Sequence, residues 1–135
     1  MGTILNPTGG AIRNDAGGSG YFGAPRGSET HGGVDFSLPE GPGQPVLAPV
    51  GGRIVRVAYP YSGNTQVMGA EIRNGDLTLQ MFYFRPHPAL VGQNVAMGQV
   101  IGTAQDVARL MGQGYEKVTP HVHLEIETVN PLLLM

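Results

Sequence analysis

Along much of this chain, apolar and polar residues alternate with a period of two, the signature of strands with one face buried. His121 to Thr128 is the clearest case, reading His-Val-His-Leu-Glu-Ile-Glu-Thr. Met68 to Arg73 and Leu77 to Phe84 alternate in the same way on either side of Asn74-Gly75-Asp76, and an Asn-Gly pair between two such runs predicts a hairpin. Val46-Leu47-Ala48 and Ile54 to Ala58 predict two more strands, split by Pro49-Val50-Gly51-Gly52. Val95 to Thr103 is a further β stretch punctuated by glycine, and Asn14 to Gly18 reads as a turn between short extended pieces. Only residues 105–112 suggest a helical turn, ended by Gly112. The expected fold class is therefore all-β, mainly antiparallel, with long Gly-rich loops and at most one short helix.

Composition narrows this picture without changing it. At 135 residues the chain fits one domain, 1–135, large enough for a hydrophobic core. Gly (22) and Pro (11) are abundant, yet 41% of residues are apolar, which suits a turn-rich β protein better than a disordered one. Charged residues make up 13% and the net charge is −2, so neither nucleic acid nor an anionic membrane is an expected partner. No cysteine is present, which excludes disulfides and thiolate metal ligands. The start, Met1 to Pro7, has neither the basic nor the apolar region of a signal peptide, so none is expected. No apolar run approaches the roughly 20 residues that span a bilayer, and membrane insertion is not expected.

Candidate chemistry gathers in two short motifs. Three of the four histidines lie in His31-Gly-Gly-Val-Asp35 and His121-Val-His123, which together supply three imidazoles and a carboxylate. These are ordinary ligands of Zn²⁺. On a strand, His121 and His123 project from one face together with Glu125 and Glu127, while Val122, Leu124 and Ile126 face the core. Gly32 and Gly33 allow a bend that turns His31 and Asp35 inward. A catalytic zinc needs three protein ligands and an open fourth position. Spacing alone leaves a surface pair of histidines as the alternative.

Longer stretches carry a family resemblance. Tyr21-Phe-Gly-Ala-Pro-Arg-Gly-Ser-Glu-Thr-His-Gly-Gly-Val-Asp-Phe36 resembles the opening motif of the lysostaphin/LytM-type zinc metallopeptidases. Pro45 to Val55 resembles their next strand pair, Gly92 to Gly102 their Gly-rich hairpin, and Pro120-His-Val-His-Leu-Glu-Ile126 their closing motif. The likeness runs in order from about Gly20 to Pro131. It implies an open β-sheet or sandwich with a central groove, and a Zn²⁺ held by His31, Asp35 and His123. It also implies that His121 is the catalytic histidine and that the substrates are peptide bonds in the stem peptides or cross-bridges of bacterial peptidoglycan. Glu125 is a candidate to orient an imidazole from behind.

One position departs from the family pattern. A second catalytic histidine, expected in a Tyr-x-His motif about nine residues before the Gly-Gln of the hairpin, is replaced by Tyr83. The stretch around it, Leu79-Gln-Met-Phe-Tyr-Phe-Arg-Pro-His87, also resembles leukocyte cell-derived chemotaxin, a vertebrate zinc-binding relative not regarded as a peptidase, and tail-associated peptidases of bacteriophages. A phenol can donate a hydrogen bond to an oxyanion but is a poor base near pH 7, its reference pKa being about 10. His87, four residues on, is a second candidate for the groove, and Arg85 a long-reach one. Two functions follow: a zinc endopeptidase of peptidoglycan, in a phage virion or lysis setting with tail proteins as partners, or a zinc-binding recognition domain that no longer cuts. Either would work at the cell wall or periplasm. A metal-free structural tail protein is a third.

Overall fold

The computed structural model describes residues 4–12, 33–75, 77–111 and 119–127, with the backbone of short strand pieces between residues 14 and 30. Those pieces form two hairpins: β1 (Asn14–Asp15) with β2 (Gly18–Ser19), and β3 (Pro25–Arg26) with β4 (Glu29–Thr30). The remaining strands are β5 (Val34–Ser37), β6 (Pro45–Leu47), β7 (Gly52–Ala58), β8 (Gly69–Asn74), β9 (Leu77–Phe82), β10 (Phe84–Pro86), β11 (Asn94–Val95), β12 (Val100–Ala104) and β13 (His121–Ile126). Six of them make the main sheet, in the order β11-β7-β8-β9-β13-β5, and β10-β12-β6 make a smaller one. Every pairing is antiparallel. The helix α1 (Val107–Met111) is short, and a 3₁₀ turn spans Pro88–Leu90. Among the described residues no helix is long and apolar enough to cross a membrane.

The period-two pattern explains both faces of the main sheet. Ile54, Ile72, Leu79, Met81, Leu124 and Val34 all point to one side and are fully buried. They meet Val46, Phe84 and Ile101 from the smaller sheet in one continuous core. Each such side chain contributes roughly 1.5–3 kcal/mol by leaving water. The opposite face carries the polar residues of the same strands, and register, fixed by the buried face, decides which of them are neighbours. Gly75 turns the β8–β9 hairpin with φ 54, a conformation open to glycine and costly to most other residues.

The alternating run expected from Leu77 to Phe84 is cut at one residue. β9 ends at Phe82 in the main sheet and β10 begins at Phe84 in the smaller one. Tyr83 makes the crossing with φ 74, the one positive φ among the described non-glycine residues. Its N–H and that of Phe84 both donate to the Met68 carbonyl, and its own carbonyl accepts from Gln105 N–H. Those bonds hold the strained crossing in place.

Ile72 is fully buried in this core, so Ile72→Ala should lower unfolding free energy by about 2–5 kcal/mol. Urea denaturation measures this, and a loss below about 1 kcal/mol would show that β8 does not pack as described.

Candidate active site

Register assembles the polar cluster. His123 on β13 pairs with Asp35 on β5 and with Phe82 on β9, so the three side chains stand in a row across one sheet face. His121 and Glu125, two residues to either side of His123, share that face. Val122, Leu124 and Ile126 lie on the core side, as the alternation predicts. The polar side is closed as well: Asp35 is 2% exposed, His121 5% and His123 9%.

His123 is gripped at both ring nitrogens. Its Nδ1 lies 2.6 Å from Asp35 Oδ1, and its Nε2 lies 2.8 Å from Glu125 Oε1. Carboxylate oxygens accept, so the ring donates on both sides and carries a positive charge. Burial opposes that charge, but the hydrogen bonds to Asp35 and Glu125 and the field of the two carboxylates outweigh it, raising the pKa from 6.5 to about 9.

His121 is held differently. Its Nδ1 donates to the Thr119 carbonyl at 2.7 Å, because a carbonyl can only accept. In the neutral ring this leaves the lone pair on Nε2, which lies 3.6 Å from Asp35 Oδ2. Tyr83 packs edge-on against His121, with ring centroids 5.1 Å apart, and reaches His123 at 6.4 Å. Sequence reasoning named Tyr83 but missed its partner Tyr61, whose hydroxyl is 2.7 Å from the Tyr83 hydroxyl. Tyr61 sits in the loop between β7 and β8, where periodicity carries no signal.

The residues present suit a cation. The environment already stabilises a positive charge between Asp35 Oδ1 and His123 Nδ1, and Glu125 holds the far nitrogen as a second carboxylate commonly does behind a ligating histidine. The Nδ1–Oδ1 spacing is that of a hydrogen bond, so a proton and a metal would compete for one place. Among the described residues no group of three or more His, Cys, Asp or Glu side chains is arranged to hold an ion. His31, the further ligand the sequence suggests, lies outside the described residues together with Gly32.

Gly33 serves a purpose other than bending. A Cβ there would collide with the Leu124 carbonyl and come within 2.9 Å of His123 Cε1 and Glu125 Cγ. Close approach of β5 to β13 therefore requires glycine at this position.

His87 is not brought to the cluster. It is exposed, and its Nδ1 accepts from Ala89 N–H to cap the 3₁₀ turn beside the smaller sheet. Glu127 is exposed and accepts from Gln80 at 3.2 Å. Arg85, with Gln66, Thr103, Gln105 and Arg109, lines a separate cleft of about 600 Å³ that shares no residue with the cluster.

The antiparallel β fold thus carries a buried aspartate–histidine pair with a second histidine beside it. The family model for peptidase family M23 matches residues 29–132, and the chain belongs to that family. It is 31% identical over 124 residues to Myeloid protein 1 of Gallus gallus, covering 89% of this chain and 36% of that protein. This accords with the likeness of the Tyr83 stretch to a vertebrate protein. The catalytic domain of lysostaphin, an antimicrobial peptidase from Staphylococcus simulans, matches with a TM-score of 0.57 and 26% identity, over 87% of this chain and 85% of that one. A zinc containing peptidase from Vibrio cholerae matches with a TM-score of 0.61 and 26% identity, over 93% and 36%. The chain thus spans about a third of the length of the chicken and Vibrio proteins.

The raised pKa of His123 has a definite sign. Its folded pKa, about 9, exceeds the ordinary value of 6.5, so its contribution to stability is complete below about 6.5 and is lost as pH rises through about 9. In chelator-treated protein the urea midpoint should fall across that window, and His123→Gln should flatten the fall. A wild-type midpoint that stays level or rises over the same range contradicts the clamped imidazolium.

Proposed function

We propose that this protein is a zinc-dependent endopeptidase that hydrolyses peptide bonds in bacterial peptidoglycan. The observation that carries the reading is the buried Asp35–His123 pair, with the half-buried Glu125 behind it and His121 beside it. Membership of peptidase family M23 and the likeness to the lysostaphin catalytic domain support it. In this reading Asp35 and His123, through Nδ1, would hold zinc, with His31 as the third ligand. Bound there, zinc supplies Lewis acidity, polarising a carbonyl and acidifying water.

The remaining steps belong to the chain's own side chains. Glu125 keeps the proton on His123 Nε2 and so fixes Nδ1 as the ligating atom. His121, with Nδ1–H committed to Thr119, offers Nε2 to take a proton from the attacking water and return it to the departing amine. Tyr83 donates its hydroxyl hydrogen to the developing oxyanion, the task a histidine would share at that position. Tyr61, bonded to the Tyr83 hydroxyl, restricts where that hydrogen points. The proposed partners are peptidoglycan peptides and, in a phage particle, tail proteins, with action at the cell wall or periplasm.

A second reading has one observation in its favour. Tyr83 stands where the family pattern has a second catalytic histidine, so a zinc-binding domain that recognises the cell wall without cutting it would share this geometry.

Release of new amino termini from purified peptidoglycan separates the two. Wild type should release them, and His121→Ala should slow release by about 100-fold or more while folding and zinc content persist. Asp35→Ala should lose zinc and Tyr83→Phe should keep it. Zinc-loaded wild type that binds the wall but frees no amino termini supports the recognition domain instead, and full zinc content in Asp35→Ala removes the assigned ligand.

A further inference from the structure

The sheet face that carries His123 continues across three more strands. Glu125 pairs with Gln80 on β9, Gln80 with Glu71 on β8, and Glu71 with Arg56 on β7. Arg73 stands two residues from Glu71 on the same face, directly opposite Arg53. Three of the chain's eight cationic residues thus gather on one patch of a protein whose net charge is −2.

Glu71 anchors the patch. It is buried, and Gln80 Nε2 donates to its Oε1 at 2.9 Å. Arg56 Nη2 lies 3.1 Å from Oε1, and Arg73 Nε lies 2.8 Å from Oε2. One carboxylate therefore fixes two guanidinium groups, whose side chains remain 57% and 61% exposed. Arg73 spends only its Nε on Glu71, and its terminal amino groups have no partner among the described residues. Arg56 gives its Nη1 to the Val57 carbonyl at 3.4 Å, a long bond. Arg53 opposite Arg73 adds a like charge, an unfavourable pairing that an anion would relieve.

We propose that Arg56 and Arg73 form a subsite for a carboxylate of the bound peptide. Pre-fixed guanidinium groups with spare donors match the two oxygens of a carboxylate. Three strand intervals of about 4.8 Å separate β13 from β7, which places the subsite about 15 Å from His123. An extended peptide covers that distance in about four or five residues. The ligand class is thus a peptide whose carboxylate lies that far from the bond over His123. The identification of the ligand as a peptide rests on the peptidase reading; the preference for an anion does not.

Direct binding to intact protein tests this without requiring cleavage. Three synthetic peptides built on one uncharged parent sequence are compared by titration calorimetry: the parent with a free C-terminal carboxylate at the fifth residue, the parent amidated there, and an amidated variant with glutamate substituted at the fifth residue. Wild type should bind at least one acid form about tenfold more tightly than the uncharged amide, with the advantage shrinking as salt rises. The preferred acid form tells a terminal carboxylate from a side-chain one. Arg56→Gln and Arg73→Gln should each reduce the preference; if either fails to fold by circular dichroism, Arg56→Lys and Arg73→Lys should show the same reduction through loss of the forked geometry. Equal binding of acid and amide by wild type, or an undiminished preference in folded variants, overturns the proposal. Cleavage of the same peptides is scored separately, so a wild type that binds the acid form yet cuts nothing retires the peptidase reading and leaves the subsite standing.

Discussion

The hydrogen bond between Asp35 and His123 is the constraint on which the rest of the site depends. It joins residues 88 apart in sequence and exists only because β5 and β13 pair in one register. A slip of β13 by one residue would send His123 into the core and bring Leu124 out beside Asp35 on the polar face. The apolar residues of these strands, fully buried, therefore position the chemistry as firmly as the polar ones do. Gly33 completes the arrangement by letting the two strands come close enough for the bond to form.

Around that bond the structure sorts its two histidines by what holds each ring. His123 lies between two carboxylates and is charged when no metal is present. His121 leans on a backbone carbonyl through Nδ1, which places the lone pair of the neutral ring on Nε2. Two adjacent histidines on one strand face thus acquire different chemistry from different neighbours. Tyr83 adds a hydroxyl at the point where the chain leaves one sheet for the other, and its unusual φ is maintained by bonds to Met68 and Gln105. Strain of this kind persists where surrounding contacts fix it, often at functional sites.

Much of this was legible in the sequence. Strand residues such as His121 to Ile126 declare their faces by alternation, and the antiparallel class follows from several such runs. The placement of Asp35, His123 and Glu125 was open to a sequence reading because motif and face coincide. What escaped was tertiary. The break at Tyr83 interrupts a run that alternates without a visible stop, because the strand changes sheet rather than ending. Tyr61 reaches the Tyr83 hydroxyl from a loop whose path no periodicity encodes. His87 looked available in sequence, yet the backbone beyond Pro86 turns its ring to capping. Gly33 read as a hinge, whereas the fold demands empty space there.

In the proposed reading, zinc takes the place of the proton between His123 and Asp35. Nitrogen-15 NMR of the histidine rings during zinc titration examines that atom directly. The account predicts that His123 Nδ1 loses its proton and shifts as zinc is added, while Nε2 stays protonated against Glu125. Zinc that shifts Nε2 instead, or leaves the His123 ring unchanged, would contradict it.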